Sequence, residues 1–224
     1  MITANVVHRV FRLRAGEAVG TAFTIEDEGR EYLVTARHVV PSFSGTGSIS
    51  LFSSGGWLSL QATLVGHGSG DLDISVLAVD RQLTPSELSM PAISSGVVYG
   101  QEVHFLGFPY GYLGRYAFGP DGFPLPFVKR ATLSLFDGPL FLLDGHNNPG
   151  FSGGPVIFRQ ANQEFKVFAV ISAYRYVYQP VFDGASATDL SFKYNTGIVE
   201  AYGIDEATRL IRANPIGYVL PNLA

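Results

Sequence analysis

Short apolar segments, each ended by a turn rich in small or polar residues, restrict the fold of this chain more than any other feature. Residues 19–26 and 31–36 flank a turn at residues 27–30, which predicts a β-hairpin. Residues 49–52 and 57–65 flank a second glycine-containing turn, and residues 73–79 form the kind of apolar run that predicts a buried strand. One helix is indicated, over residues 206–214, with Asp205 as its N-cap. The pattern predicts an all-β protein with a C-terminal α-helix.

The predicted strands fall into two groups of similar size. The second group comprises residues 102–107, 131–136, 141–144, 154–158, 165–173 and 196–199. Many short strands with regular turns indicate two packed β-barrels. We therefore expect an N-terminal barrel in residues 1–95, a C-terminal barrel in residues 96–204, and a helix and tail in residues 205–224.

Composition excludes several classes of function. Apolar residues make up 46% and charged residues 15% of the chain, which indicates a folded, core-rich protein. The net charge of −4 without a basic block argues against nucleic-acid binding. No apolar run approaches the roughly 20 residues of a membrane span, and the absence of cysteine excludes disulfides and thiol catalysis. We expect no metal and no cofactor.

The N-terminal residues 1–13 lack the apolar core of a signal peptide. We therefore expect a cytoplasmic protein, with an exported mature form as the open alternative.

Residues 148–155 give the strongest indication of a catalytic site, because Ser152 lies there on a turn flanked by glycines. Glycine allows backbone N–H groups to approach a ligand closely, so the turn can hold a nucleophile beside an oxyanion hole. The segment also matches G-x-S-x-G, the nucleophile turn of α/β-hydrolases. Those enzymes place their histidine after the serine, whereas all five histidines here precede Ser152. The α/β-hydrolase interpretation therefore fails.

A base and an orienting acid are available earlier in the chain. His38 ends an apolar strand, and Asp73 opens the buried strand at residues 73–79. At this point both residues could instead have purely structural roles. His38 could be a core histidine, and Asp73 could cap a turn. A carboxylate that accepts from an imidazole N–H would instead fix the tautomer needed for general-base catalysis.

Five motifs in order resemble those of trypsin-like, chymotrypsin-fold serine proteases, and most closely the bacterial HtrA-like branch. They are Gly20-Thr21-Ala22-Phe23, Thr35-Ala36-Arg37-His38, Asp73-Ile74-Ser75-Val76-Leu77, Leu106-Gly107-Phe108-Pro109-Tyr110-Gly111, and the segment from Asp144 to Pro155. The resemblance spans roughly residues 19–199. It implies a chymotrypsin-like double β-barrel with the active site between the barrels.

Carried over by position, the resemblance implies a serine endopeptidase that acts on protein or peptide substrates. Ser152 would be the nucleophile, His38 the general base and Asp73 its orienting acid. The N–H groups of Gly150 and Ser152 would form the oxyanion hole.

The same resemblance implies that the pocket for the substrate side chain is lined by His146, Ile171, Ser172 and Ala173. A pocket-facing His146 would favour an acidic side chain. The alternative is that His146 is a loop histidine outside the pocket and that the pocket takes a small or medium apolar side chain.

Two departures from the family pattern lead to further expectations. Phe151 occupies the position where digestive trypsin-like enzymes carry the aspartate that pairs with a newly cut N-terminus. We therefore expect a site that needs no activation by N-terminal cleavage and is held by packing. The second departure concerns the PDZ domain, a peptide-binding domain that usually follows the protease domain in HtrA-like proteins. We expect no PDZ domain here.

Aromatic residues crowd the long loop from Phe108 to Phe127. We expect most of them to pack this loop onto the second barrel. A docking face for a partner protein, or a lid, is the alternative, because aromatic side chains are enriched at interfaces. Tyr174, Tyr176 and Tyr178 form either a solvent-facing stripe or one wall of a groove in which substrate adds as a strand.

Two other functions remain alongside the general endopeptidase. One is a catalytically silent barrel that binds a protein partner. The other is a processing protease dedicated to one partner.

Overall fold

The computed structural model describes residues 1–53, 55–115, 123–160 and 164–221. After a short helix, α1 (Ala4–Val7), six antiparallel strands form the first barrel. They are β1 (Val10–Ala15), β2 (Ala18–Asp27), β3 (Arg30–Thr35), β4 (Thr46–Ser53), β5 (Gly56–His67) and β6 (Ser75–Val79). Pairing of β3 with β6 closes the ring. Both predicted hairpins and the predicted buried strand are confirmed, and β1 is a strand that the sequence patterns missed.

The second barrel is a closed ring of six antiparallel strands. In chain order they are β7 (Glu102–Gly107), β10 (Phe127–Asp137), β11 (Leu140–Asp144), β12 (Pro155–Arg159), β13 (Phe165–Asp183) and β14 (Ser186–Gly203). A small pair, β8 (Gly114–Arg115) with β9 (Pro124–Leu125), lies within the connection from β7 to β10. The predicted all-β double barrel is confirmed.

The chain ends against the first barrel through α2 (Asp205–Ala213) and β15 (Tyr218–Val219), which pairs with β3. The prediction that Asp205 caps α2 is wrong. The N-cap is Ile204, and the Asp205 carboxylate accepts instead from the hydroxyl and the backbone N–H of Ser94. A tertiary contact with a distant residue has replaced the local capping bond. Among the described helices, none is long and apolar enough to cross a membrane.

Apolar side chains fill each barrel and the space between the barrels. Leu33 lies in the core of the first barrel and Phe168 in the core of the second. A third cluster joins Phe23 of the first barrel to Leu106 and Ile157 of the second. Burial of apolar surface at this junction holds the barrels together and fixes the cleft between them.

The aromatic loop only partly follows the expectation that it packs on the second barrel. Phe127 contacts Phe151 of that barrel, but Phe123 packs against His8 and Phe11, which belong to the first. Tyr110 is exposed. Residues 116–122 lie outside the described part of the chain.

A buried carboxylate attaches the connection between the barrels to the first barrel. Glu31 on β3 is fully buried and accepts from the N–H groups of Leu83, at 2.6 Å, and Thr84, at 2.9 Å. Burial raises the pKa of Glu31, and these two hydrogen bonds oppose the shift. The carboxylate thus supplies acceptors for two backbone donors that would otherwise be unsatisfied.

Replacement of this carboxylate should destabilise the protein. We expect Glu31→Ala to lower the free energy of unfolding by about 2 kcal/mol, because buried donors left without acceptors cost about 1–3 kcal/mol. Urea unfolding monitored by fluorescence measures the change. Glu87→Ala, which removes an exposed carboxylate from the same connection, is the matched control and should have little effect. Equal effects of the two substitutions would contradict the prediction.

Candidate active site

A strand of the first barrel holds the serine turn through its backbone and side chain. Thr21 on β2 donates its N–H to the carbonyl of Ser152, at 2.8 Å, and its hydroxyl to the carbonyl of Gly150, at 2.7 Å. The same hydroxyl accepts from the N–H of Phe108 at 3.2 Å. Thr21 therefore ties together the serine turn, the β7 end of the second barrel and the first barrel.

Close approach at the turn requires glycine at position 153. Gly153 has a φ of +84°, and a Cβ there would lie 2.1 Å from the carbonyl oxygen of Thr21 and 2.3 Å from Oγ1 of Thr35. Both neighbours belong to the first barrel. The two barrels meet here without room for a side chain.

The backbone just before Ser152 forms a β-turn. The N–H of Phe151 donates to the carbonyl of Asn148 at 3.3 Å, with Pro149 and Gly150 between them. Gly150 has a φ of +106°, which only glycine adopts without strain at the third position of such a turn. A Cβ at Gly150 would also lie 2.4 Å from the carbonyl oxygen of Phe108.

One hydrogen bond orients the amide of Gly150. The Pro149 carbonyl accepts from the N–H of Tyr110 at 2.9 Å. Because C=O and N–H point in opposite directions across a trans peptide, the Gly150 N–H is directed away from Tyr110. Within the described chain, the N–H groups of Gly150 and Ser152 donate to no acceptor. The serine turn thus contains two backbone donors that are available to a ligand, as an oxyanion hole requires.

The first barrel supplies a histidine bound twice to one carboxylate. His38 lies in the 3₁₀ turn Arg37–Val39 that follows β3, and Asp73 precedes β6. Nδ1 of His38 lies 2.7 Å from Oδ2 of Asp73, and the His38 N–H donates to Oδ1 at 2.9 Å. The hydroxyl of Ser172 donates to the same Oδ2 at 2.5 Å. Nε2, the other nitrogen of the imidazole, has no hydrogen-bond partner among the described residues.

The hydrogen bonds also control the ionisation of Asp73. Burial by itself would raise the pKa of Asp73. The hydrogen bonds from His38 and Ser172, together with the charge of His38, outweigh burial and hold the pKa below its ordinary value. Asp73 is therefore a carboxylate at neutral pH, able to accept an imidazole N–H.

His38 and Ser152 line one cleft of about 440 Å³ between the barrels. The Ser152 hydroxyl donates to the carbonyl of Ser172 at 3.1 Å rather than to the imidazole. Ser172 thus contacts both the carboxylate and the serine. The structure brings all three predicted catalytic residues to one place.

Of the four predicted substrate-binding residues, two line the cleft and two do not. Ser172 and Ala173 line the cleft. Ile171 instead lies in the core of the second barrel. A register shift between Ile171 and Ala173 interrupts the alternation of the strand, which allows Ser172 and Ala173 both to line the cleft. His146 is exposed and absent from the cleft wall; its carbonyl accepts from Nζ of Lys129.

Two residues of the cleft wall, Asn147 and Lys193, were not predicted from the sequence. Asn147 is buried, and its side-chain amide donates to the carbonyl of Ala173 at 3.2 Å. Tyr174 and Tyr176 also line the cleft, as the groove-wall alternative for the alternating tyrosines expected, whereas Tyr178 is exposed and does not line it. No local pattern indicates Lys193.

Phe151 is fully buried and meets Phe105 edge-to-face, with ring centroids 4.9 Å apart. Lys129 places Nζ 5.5 Å from the centre of the Phe151 ring. Apolar packing therefore occupies the position directly before the serine. Among the described residues, no group of three or more side chains suited to a metal ion is present.

Comparisons with known proteins agree with this architecture. A family model described as the trypsin-like peptidase domain matches residues 20–168. No curated protein matches the sequence. The Rv3671c protease of M. tuberculosis in its inactive form has the same fold, with a TM-score of 0.58 at 18% identity over 94% of this chain and 91% of that one.

Two further solved structures show the same likeness. The serine endoprotease from Yersinia pestis gives a TM-score of 0.57 at 20% identity, over 95% of this chain and 68% of that one. The HtrA-type protease AlgW with tripeptide gives 0.57 at 22% identity, over 94% and 60%. At these identities the likeness concerns the fold.

The contact at Gly153 predicts a large effect of a single methyl group. We expect Gly153→Ala to destabilise the protein by more than about 3 kcal/mol, because strain at positive φ, about 1–2 kcal/mol, adds to the clash with Thr21. Gly138→Ala is the control, since Gly138 also has positive φ but a Cβ there would meet no atom within 4 Å. Urea unfolding compares the two variants, and equal destabilisation would contradict the close contact.

The lowered pKa of Asp73 predicts how stability depends on pH. A carboxyl group whose pKa is lower in the folded state contributes stability above its ordinary pKa of about 3.9 and loses it as pH falls through the lowered value. We expect the stability advantage of the wild type over Asp73→Asn to be about 1.5–3 kcal/mol at pH 7 and to shrink below about pH 4. Urea unfolding across this pH range measures it, and an advantage that grows in acid would overturn the assignment.

Proposed function

This chain belongs to the trypsin-like peptidase family, and we propose that it is a serine endopeptidase that hydrolyses peptide bonds through an acyl-enzyme. One arrangement carries the proposal: His38, bonded twice to Asp73, lines a cleft together with Ser152, and the N–H groups of Gly150 and Ser152 in the serine turn have no acceptor among the described residues. This combination has no purpose in packing, since an open cleft and unpaired donors contribute nothing to a core.

In the proposed reaction, Ser152 turns its hydroxyl from the Ser172 carbonyl to Nε2 of His38 and attacks the substrate carbonyl carbon. His38 accepts the hydroxyl proton, and the new oxyanion accepts hydrogen bonds from the N–H groups of Gly150 and Ser152. The C–N bond then breaks, and the leaving amine takes the proton from His38. The products of this half-reaction are the free amine and an ester on Ser152.

Deacylation repeats the same steps with water. His38 takes a proton from the water as it attacks the ester carbonyl, and returns the proton to Oγ of Ser152 as the C–O bond breaks. Asp73 stays ionised throughout, since it keeps the imidazole oriented through Nδ1 and stabilises the imidazolium.

We infer that the site needs no ion pair with a newly cut N-terminus. Burial of Phe151 against Phe105 holds the residue before the serine. The hydrogen bond from Tyr110 to the Pro149 carbonyl holds the amide of Gly150. Both supports are already in place in the structure.

A catalytically silent barrel that binds a partner is the competing function. It predicts no reaction with an electrophile directed at an activated serine. A protease dedicated to one partner predicts the reaction but little hydrolysis of general substrates such as casein.

A fluorophosphonate probe tests the proposal directly. We expect stoichiometric labelling of Ser152 in the folded full chain, measured by mass spectrometry of the intact protein and its peptides. Ser152→Ala should abolish labelling, and His38→Ala should slow it by about 10³-fold or more, because an unactivated serine is a poor nucleophile.

Ser69→Ala, which changes an exposed serine outside the cleft, is the matched control and should label like the wild type. A folded wild-type protein that takes up no probe would reject the enzyme and favour the binding module. Labelling without casein hydrolysis would favour the dedicated protease.

A further inference from the structure

A long two-stranded arm extends from the second barrel beside the cleft. We define the arm as residues 175–195, where β13 and β14 pair only with each other. Pairing of β13 with β12 ends at Val170, and pairing of β14 with β11 begins at Ile198. Large apolar side chains on the arm are exposed: Tyr176, Val177, Tyr178, Val181, Phe182, Leu190, Phe192 and Tyr194. Because a hairpin alone in water is only marginally stable, this much exposed apolar surface indicates contact with another molecule.

One face of the arm continues the wall of the cleft. Tyr178 lies opposite Lys193 in the strand register, and Tyr176 lies two residues before Tyr178, so all three share a face. The rings of Tyr176 and Tyr178 contact edge-to-face at 5.7 Å, and Nζ of Lys193 lies 4.3 Å from the centre of the Tyr176 ring. Tyr176 and Lys193 line the same cleft as His38 and Ser152.

The positive charge of Lys193 on this face has no partner in the part of the chain that the structure describes. Within the described chain, Lys193 forms no ion pair and donates no hydrogen bond, and no acidic side chain lines the cleft. Arg175, the other cation of the arm, pairs with Glu200 at 2.8 Å. A ligand that reaches the cleft therefore meets one uncompensated positive charge, held over an aromatic ring.

The backbone of the arm offers a second means of recognition. Along Arg175 to Pro180, the edge of β13 away from β14 has no strand partner among the described residues. Such an edge presents unpaired N–H and C=O groups, which an extended peptide can use to add as a strand. The edge continues directly from Ser172 and Ala173 in the cleft wall.

We propose that the arm is a substrate-binding element: an extended polypeptide adds to the open edge of β13 beyond Tyr174, and Lys193 binds one of its acidic side chains. This inference rests on the proposed endopeptidase function. Continuity with the cleft favours the substrate as the occupant over a second copy of this chain, whose contact would have no reason to include a face that lines the active site.

The test uses the full chain and a pooled library of synthetic 14-residue peptides, with cleavage sites read by mass spectrometry. We expect Asp and Glu to be enriched about two- to fivefold at one fixed distance from the cleaved bond, which lies within the range for an exposed ion pair. Lys193→Met should remove the enrichment, and Lys193→Glu should replace it with enrichment of Lys and Arg. Arg81→Met removes an exposed cation that pairs with Asp80 and lies outside both the arm and the cleft wall; it is the control, with an unchanged profile.

A second measurement tests the open edge. The best-cleaved peptide is shortened one residue at a time from each end, and we expect kcat/KM to keep falling, by about tenfold in total, as residues more than three positions from the cleaved bond are removed from one end. An unchanged kcat/KM would overturn strand addition along the arm.

Fluorophosphonate labelling separates failure of this inference from failure of the proposed function, since Lys193 takes no part in the attack of Ser152. Loss of labelling in the wild type would reject the endopeptidase. Normal labelling of all variants with the same acidic preference in Lys193→Met would reject only the role of Lys193. Normal labelling with a kcat/KM that does not change as the peptide is shortened would reject the arm as a peptide-binding edge, and dimers seen by sedimentation would favour a second copy as its occupant.

Discussion

The contact between Thr21 and the serine turn is the constraint on which the rest of the site depends. Strand β2 donates a backbone N–H to the Ser152 carbonyl and a hydroxyl to the Gly150 carbonyl, while Gly153 leaves no space between the barrels. Each barrel buries its own core, yet neither contains a complete site. Because hydrogen bonds have short, directional geometry, this contact sets the position of the serine turn relative to β2 of the first barrel, in addition to the apolar packing between the barrels.

The two barrels contribute groups of different kinds. The first contributes an ionised carboxylate and an imidazole, joined by side-chain and backbone bonds. The second contributes a turn whose amides are oriented by the bond between Tyr110 and Pro149. Ser172 links these parts, since its hydroxyl donates to Asp73 and its carbonyl accepts from Ser152. Such preorganisation fits a site that stabilises charge without rearranging its own dipoles. The arm adds to this site a strand edge and a cation, Lys193, that have no partner among the described residues.

Local patterns predicted the hairpins of the first barrel because alternation and turn residues act over a few positions. They predicted a strand ending at residue 173, whereas β13 continues to Asp183 and pairs with β14 along the arm. The residues of this extension pack in neither barrel core, so the sequence pattern of buried apolar residues does not predict that the strand continues. The incorrect N-cap at Asp205 has the same origin: the carboxylate binds Ser94, more than a hundred residues away, and a tertiary contact overrides local capping preference.

The sequence by itself determined the all-β class, the nucleophile candidate Ser152 and the order His38, Asp73, Ser152 that excludes α/β-hydrolases. These conclusions depend on residue type, short-range periodicity and order along the chain. Only the tertiary structure decided that Asn147 rather than His146 reaches the cleft, and that Lys193 belongs to its wall. Which way a loop side chain points depends on the backbone turn that carries it, and Lys193 reaches the cleft through the register of β13 with β14. Strand register is established only when two strands pair, so the sequence around Lys193 alone does not show that its side chain reaches the cleft.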